Sequence, residues 1–483
     1  MNSRSLKRYL VGGMVLFTLV AAVPNTGFAA AGLSAEGGSD SCGPQTPAGF
    51  DHAQRLRAAV GLPSDDHVVA DSFARADDSC ALAGIPLSSD EALQFQAVLD
   101  AQGELSNLLP SVTDDPSFAG AYFDGSSLTI ASTDGNLGSN LQPKIGSLRL
   151  EAARFTHAAL EKVAGEIVAS ATSQEAQWVP ALTSVNVDER ANVVSVGVPD
   201  DLKQATAFFA EKYGDQVSVV SAERQPDVLF CSVDDCGTKG GLKIVHDSPA
   251  EFCTSGFVSE AQEGSGVWKH YILTAGHCIV YAGVDDSHLW HNGNTSNPLT
   301  WGKGKVADND FVDCSKPGQI QYCIHNDLGL IGMGGVTPSY WNRYYTQSGN
   351  YQSILGYTAY ADQTVGQVVY RSGATTGFGS GIITAKPTVI VSDPCDDQGD
   401  VCLLYGMVTV DMAGDHGDSG AGFYRIATVN GESFRTAYGI LHGGPTPNQS
   451  PTYYYPWDTP FYGGDFQQDP WTILPCATDD CPL

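Results

Sequence analysis

The stretch Gly414-Asp415-His416-Gly417-Asp418-Ser419-Gly420-Ala421-Gly422 crowds small residues around one serine, with an aspartate directly before it. A serine hydroxyl is a weak nucleophile until a neighbouring base takes its proton. Glycines beside it let the backbone turn tightly and aim two N–H groups at one point, the geometry that holds an oxyanion. Taken alone, the stretch reads more readily as a glycine-rich surface turn. The decision rests on whether the rest of the chain supplies a base and an acid to orient it.

Two upstream stretches offer them. Tyr271-Ile272-Leu273-Thr274-Ala275-Gly276-His277-Cys278 is an apolar strand ending on a histidine next to a cysteine. By itself it is equally a strand-end histidine beside a structural disulfide. Asn326-Asp327-Leu328-Gly329-Leu330-Ile331 sets an aspartate at the start of another apolar strand. Alone, that is an ordinary turn aspartate. Together they give a base and an orienting acid in the order His, Asp, Ser, and that order separates enzyme classes that share one chemistry.

The surrounding chain narrows the fold. Its 483 residues exceed one ordinary domain. With 42% apolar and 16% charged residues, 54 glycines and 20 tyrosines, it suits a well-buried, turn-rich, β-rich protein. The formal charge of -29 comes with no basic patch, so nucleic acid is not an expected partner. From Gly240 onward, short apolar runs alternate with Gly, Asn, Asp and Pro, which predicts all-β structure, two barrels fitting the length better than one. Asn430-Gly431, between Phe423-Tyr424 and Ala437-Tyr438, is a hairpin turn signal.

The first half reads differently. Arg4, Lys7 and Arg8 precede an apolar run from Val11 to Val23 and small residues at Ala29 to Ala31. That predicts a secretory signal over residues 1–30, a retained anchor being the alternative. Residues 30 to about 50 read as a linker. Ser88, Ser89 and Asp90 cap a helix from Glu91 to Leu109. A hairpin turns at Asp124-Gly125, a helix covers Ala153 to Ala171, and a second hairpin spans Val185 to Val198. A helix to Tyr213 and a strand at Val217 to Val220 complete a small α+β region with a weak internal repeat. Its histidines, His52, His67 and His157, are scattered and read as surface or helix residues.

Export makes the 12 cysteines readable as disulfides. Neighbour pairing closes short loops and is the preferred connectivity: Cys42 with Cys80, Cys231 with Cys236, Cys253 with Cys278, Cys314 with Cys323, Cys395 with Cys402 and Cys476 with Cys481. No Cys-x-x-Cys pair occurs, so no structural metal is expected. A metal-dependent hydrolase would have to use Asp285-Asp286-Ser287-His288-Leu289-Trp290-His291, which lacks metalloprotease helix spacing.

From about Gly240 to Gly444 the chain resembles the chymotrypsin-like serine peptidases, and most of all the bacterial streptogrisin and α-lytic protease branch. The resemblance is carried by Cys253-Thr254-Ser255-Gly256-Phe257-Val258, Leu273 to Cys278, Asn326 to Gly329, Val369-Tyr370-Arg371-Ser372-Gly373-Ala374-Thr375-Thr376-Gly377 and Gly417 to Gly420. It implies a double six-stranded β-barrel protease domain over 239–483, preceded by an α+β pro-region over 31–238. It implies a secreted, monomeric serine endopeptidase made as a zymogen, acting on polypeptides without a cofactor, with its own pro-region as folding template and inhibitor. A catalytically inactive binding protein of the same fold is the alternative.

The resemblance also assigns roles. Ser419 attacks, His277 is the base, and Asp327 orients it. Gly417 and Ser419 supply the oxyanion N–H groups. Arg371 pairs with Asp418, and Cys253–Cys278 braces the loop of His277. Ala413, His416, His442, Gly443 and Gly444 fall at substrate-binding positions. The chain also departs from the pattern. Tyr370 and Ser380 stand where cysteines are common, Met412-Ala413-Gly414 lacks one, and His442 replaces a serine that touches the catalytic aspartate. His442 is expected to keep that support by donating to Asp327. An uncharged or bulky apolar preference is favoured, with His416 and His442 leaving an acidic one open. Processing is expected between Arg224 and Gly240, after Leu229 or Phe230.

Overall fold

The structure is a computed structural model. It describes residues 47–75, 82–141, 143, 146–172, 182–199, 202–221, 240–246, 252–263, 267–280, 289–292, 300–308, 311–313, 321–324, 327–332, 343–347, 350–354, 356–392, 401–429, 432–444, 450–456 and 473–475. The expected signal segment and processing junction lie outside these residues. So does at least one side chain of every expected disulfide except Cys253–Cys278.

Six strands close into a barrel in the order Val368–Gly373, Gly377–Ala385, Val408–Asp411, Thr452–Pro456, Glu432–Gly443, Gly422–Val429. Val369, Val410, Phe423, Tyr438, Leu441 and Tyr454 are buried together in its core. The hairpin expected around Asn430-Gly431 pairs antiparallel outward from Val429 and Glu432. That is the register a two-residue turn imposes.

The preceding strands form an eight-stranded sheet in the order Ile473–Pro475, Val258–Glu263, Val267–Ala275, Leu328–Gly332, Thr300–Asp308, Leu289–Asn292, Lys243–His246, Phe252–Thr254. The expected second closed barrel is therefore not what the described residues form. The edge of Val258–Glu263 is taken by Ile473–Pro475, near the end of the chain. Closure instead requires that edge to meet the strand at the opposite margin.

The α+β region has the expected elements with shifted ends. Its helices span Pro47–Ala59, Asp66–Ala74, Ser89–Ser106, His157–Thr172 and Leu202–Tyr213. The first begins inside the stretch read as a linker. His52, His67 and His157 lie on three of them. Helix Ser89–Ser106 starts with a reciprocal cap, the Ser88 hydroxyl accepting from the Glu91 N–H and the Glu91 carboxylate from the Ser88 N–H. The weak repeat has a structural counterpart. Phe118–Asp124 pairs antiparallel with Ser127–Ser132, which pairs parallel with Ser147–Ala152. Ser184–Asp188, Val193–Val198 and Val217–Ser221 repeat that order.

This second three-strand unit does not end at its own edge. Ser184–Asp188 pairs antiparallel with Pro387–Ser392, extending into Val401–Tyr405 within one seven-stranded sheet. The largest apolar cluster likewise runs from Leu56, Phe95 and Leu99 to Tyr370, Tyr424 and Ile440. Among the described residues, no helix is long and apolar enough to cross a membrane.

Candidate active site

His277 lies where strand Val267–Ala275 gives way to the short helix Gly276–Val280. Asp327 directly precedes strand Leu328–Gly332, which pairs antiparallel with Val267–Ala275 from Ala275 opposite Leu328. Antiparallel pairing brings the end of one strand to the start of the other, so residues 50 apart in sequence meet. Gly276 makes room, since a Cβ there would stand 2.9 Å from Asp327 Oδ1.

The His277 backbone N–H donates to Asp327 Oδ1 at 2.6 Å, and His277 Nδ1 lies 2.6 Å from Oδ2. An ionised carboxylate only accepts, so Nδ1 carries the proton and Nε2 is the acceptor of the neutral ring. His442 brings a second imidazole, its Nδ1 also 2.6 Å from Oδ2. Asp327 is 2% exposed. Burial pushes its carboxyl up, but both imidazoles outweigh that and hold it well below the usual carboxylate range. Asp327 is therefore ionised throughout the range where an imidazole titrates. His277, Asp327 and His442 present ligand atoms within 4.8 Å of one another, a cluster that could take a cation. The two 2.6 Å separations, both converging on one oxygen, are those of donor and acceptor.

Ser419 is buried. Its hydroxyl donates to the His442 carbonyl at 3.2 Å, and its own carbonyl accepts from the Thr254 N–H at 2.8 Å. Thr254 is a clasp. Its hydroxyl donates to the Gly417 carbonyl at 2.6 Å and accepts from the Ala374 N–H at 2.9 Å. Its neighbour Cys253 is bonded to Cys278, which follows His277, with a Cα–Cα distance of 6.3 Å. One short path thus ties the serine loop to the histidine loop. Gly420 (φ +88°) has no space for a side chain, because a Cβ would lie 2.2 Å from Thr274 Oγ1 and 2.4 Å from the Thr254 carbonyl oxygen. The Asp418 and Gly420 N–H groups donate to the carbonyls of Asp415 and Leu441 at 3.0 and 2.9 Å. The amides of Gly417 and Ser419 alternate with them.

Asp418 is fully buried. Its carboxylate accepts five hydrogen bonds: from Arg371 Nη2, the Thr376 hydroxyl and the Asp415 N–H on Oδ2, and from the Thr375 and Thr376 N–H groups on Oδ1. Arg371 Nη2 also donates to the Ala413 carbonyl at 2.9 Å. Of the expected substrate-binding residues, Ala413 and His416 sit on the loop before Ser419. The His416 carbonyl accepts from the Thr375 hydroxyl. Gly443 ends strand Glu432–Gly443 opposite Tyr453, with buried Gly444 following. Sequence reasoning missed Thr254 and Thr376 as holders of the serine loop. Both lie inside quoted motifs, but the motifs do not announce the distant partners that make them holders. A cavity of about 510 Å³ lies elsewhere, lined by His157, Glu189, Tyr360 and Lys386 among others and by none of the residues above.

The hairpin of Tyr370 and Ser380 is held by strand pairing and side-chain packing. The two residues are cross-strand partners. Tyr370 stacks on Tyr424 and Phe378 at 5.6 and 6.0 Å, and the Ser380 hydroxyl donates to the Ala83 carbonyl.

No known family profile matches the chain. It is similar to Serine protease 2 of Streptomyces fradiae, 29% identical over 206 residues, which are 43% of this chain and 99% of that protein. Streptogrisin-A of Streptomyces griseus is 27% identical over 176 residues, 36% of this chain and 46% of that protein. Streptogrisin-D of the same organism is 30% identical over 176 residues, 36% of this chain and 34% of its own length. Among solved structures, a glutamic-acid-specific serine protease that uses a histidine triad in substrate binding aligns with a TM-score of 0.31 at 20% identity, covering 45% of this chain and 93% of that one. The chain resembles bacterial chymotrypsin-like serine proteases, and its curated relatives are serine proteases.

Proposed function

We propose that this chain is a secreted serine endopeptidase, made with an α+β pro-region, that cleaves polypeptides through an acyl-enzyme. Ser419 Oγ bonds to the scissile carbonyl carbon as its proton passes to His277 Nε2. The carbonyl electron pair moves onto oxygen, which the Gly417 and Ser419 N–H groups receive, each contributing roughly 3 kcal/mol. The tetrahedral intermediate collapses, the C–N bond breaks, and the leaving amine takes the proton from His277. Water repeats the sequence and releases the acid. Asp327 keeps the His277 proton on Nδ1 and stabilises the imidazolium.

The observation that carries this reading is that His442 bridges the two parts. Its ring meets Asp327, and its carbonyl accepts from Ser419, so the serine stands beside the His277–Asp327 pair. The curated relatives support the reaction type. Arg371 beside Asp418 supports a serine loop already ordered without a freshly cut N-terminus. The sheet shared by Ser184–Asp188 and Pro387–Ser392 supports residues 31–238 acting as a template for 239–483. The catalytic domain is taken to act as a monomer, cofactor-free, outside the cell.

A fluorophosphonate probe tests the reading. Covalent labelling at Ser419, absent in Ser419→Ala and unaffected by chelator, is the expected result. A folded protein that neither labels nor cleaves peptides points to an inactive binding protein, and chelator-sensitive cleavage without labelling points to a metal at the His277, Asp327 and His442 cluster.

A further inference from the structure

We infer that His52 is a pH-sensitive latch, an inference that rests on reading residues 31–238 as a pro-region. Its neutral ring lets helix Pro47–Ala59 lie against the barrel. A second proton on that ring lifts the helix and loosens the α+β region from the protease domain. The seam between the two is close here. Arg55, one turn along the helix, donates to Asp411 Oδ2 at 2.7 Å, and the Ser450 hydroxyl donates to the other oxygen. The Ser380 hydroxyl donates to the Ala83 carbonyl, and a Cβ on Gly84 would stand 2.9 Å from Gly379 Cα. His52 Nδ1 is buried and has no hydrogen-bond partner among the described residues, while the ring is hydrogen-bonded to the Ser380 backbone. In the neutral ring that nitrogen carries a lone pair. Protonated, it becomes a buried donor with nothing to receive it, and it loses its hydration without compensation.

The groups around the ring fix the sign. Burial acts most strongly and holds the imidazole below its ordinary value. Arg55 on the same helix and Arg371 on strand Val368–Gly373 also oppose a second positive charge. Asp411 on strand Val408–Asp411 and the Ser380 backbone on strand Gly377–Ala385 favour it. Asp411, however, is already engaged by Arg55 and Ser450. A histidine lowered on docking leaves docking at full strength above its free value near 6.5. Docking then weakens as pH falls below that value toward the lower docked one, because the opened form binds one more proton. Burial pushes Asp411 up, but Arg55 and Ser450 outweigh it and lower it overall, so it adds to the same trend at more acidic pH. His157, at the cavity between the two regions, runs the other way. Burial lowers it, but Glu189 and Glu161, both in the α+β region, raise it overall against the opposing Lys386. Only a change at position 52 therefore isolates the latch.

Amide hydrogen exchange on the full-length chain reads the latch, with Ser419→Ala added to prevent self-cleavage. Exchange is compared at about pH 7.5 and 5.5 and corrected for intrinsic rates. Peptides covering 47–59 and 377–385 are expected to exchange about 3- to 10-fold faster at the lower pH, the most that one proton gives over the unit below 6.5. Peptides of strand Glu432–Gly443 are expected to stay within about twofold, since the ring does not face them. His52→Gln in the same chain keeps an amide donor for the Ser380 backbone and takes up no proton. Its rates over 47–59 and 377–385 are expected to stay within about twofold between the two pH values. A wild-type His52 chain indifferent to acid overturns the inference, and so does a Gln variant that opens as much as that chain. Should the Gln variant not fold, His52→Asn carries the same comparison. N-terminal sequencing of the secreted chain keeps the latch apart from the reading beneath it. A chain that opens with acid but is never cut between Arg224 and Gly240 refutes the pro-region and leaves the latch standing. A chain cut there whose exchange ignores acid refutes only the latch.

Discussion

Arg371 and Asp418 show how a single pair decides whether the serine loop holds its shape. Both side chains are almost completely buried, and the Asp418 carboxylate spends its acceptor capacity on the loop's own turn and on Thr375 and Thr376. A buried carboxylate with one partner removed is left uncompensated, at a cost of roughly 3–5 kcal/mol. Gly373 makes room for this carboxylate, since a Cβ there would lie 2.1 Å from Asp418 Oδ1. Arg371→Met is therefore expected to lower the thermal midpoint by several degrees and to slow fluorophosphonate labelling more than tenfold. Arg371→Lys keeps a charge, but its shorter side chain must bring the ammonium to where Nη2 meets Thr376, Ala413 and Asp418, so it should recover part of the midpoint and less of the labelling rate. Labelling at the wild-type rate in the Met variant would show that the pair is dispensable to the loop. The contact of Arg371 with Asp418 and that of His277 with Asp327 were expected from the resemblance that their short motifs carry, and both contacts are present. Thr254 was not legible as a clasp, because its importance comes from three partners distant in sequence.

At the scale of elements, helix Ser89–Ser106 connects a local rule to a long-range contact. Glu91 closes the reciprocal cap with Ser88 and also pairs with Arg57, whose side chain is fully buried. Burial pushes the Glu91 carboxyl up, but the Ser88 N–H and the Arg57 guanidinium outweigh this and lower it overall. A carboxylate depressed on folding contributes its stability above the unfolded value near 4.3 and loses it as pH falls toward the folded value. Glu91→Gln is expected to destabilise the α+β region by on the order of 3 kcal/mol at neutral pH, because Arg57 loses its counter-charge. The difference from wild type should shrink as pH falls below the unfolded value near 4.3 toward the lower folded one, where the wild-type carboxylate also loses its charge. A midpoint difference that does not change between neutral and acidic pH would refute the pairing. The start of this helix was readable from its cap, whereas its end was placed at Leu109 rather than Ser106, because the chain runs on into a short 3-10 turn at Leu109–Ser111. Strand Ser147–Ala152 escaped notice for a physical reason. Although Leu148, Leu150 and Ala152 alternate with polar residues, the strand is largely exposed, and what holds it is parallel pairing to Ser127–Ser132, a partner its own sequence does not announce.

At the scale of the whole molecule, the two halves of the chain are joined by contacts that no local pattern announces. The pairing of Ser184–Asp188 with Pro387–Ser392 links residues about 200 apart, and neither strand carries a signature of its partner. The composition shift near residue 225 marks the boundary read from the sequence, and the strands form one sheet across it. A second bridge is buried Gln102, on helix Ser89–Ser106. Its amide nitrogen donates to the Gly125 and Gly366 carbonyls at 3.1 and 3.0 Å, and its oxygen accepts from the Val368 N–H at 3.1 Å. Val368 opens the barrel strand that carries Arg371, so the first half grips the segment that orders the serine loop. Barrels with mostly non-local contacts fold slowly, and a partner that holds one strand in register lowers the entropy of closing the rest. Gln102→Leu keeps volume but leaves the Val368 N–H and the Gly366 carbonyl unpaired, at roughly 1–3 kcal/mol each. If residues 31–238 act as a template, this variant should yield several-fold fewer active sites per milligram of secreted chain, counted by fluorophosphonate titration. Each titrated site should keep wild-type kcat, because Gln102 does not touch the site. A wild-type yield of active sites would remove the template role from this contact, and a lower kcat per titrated site would mean that Gln102 acts on the finished enzyme rather than on its folding.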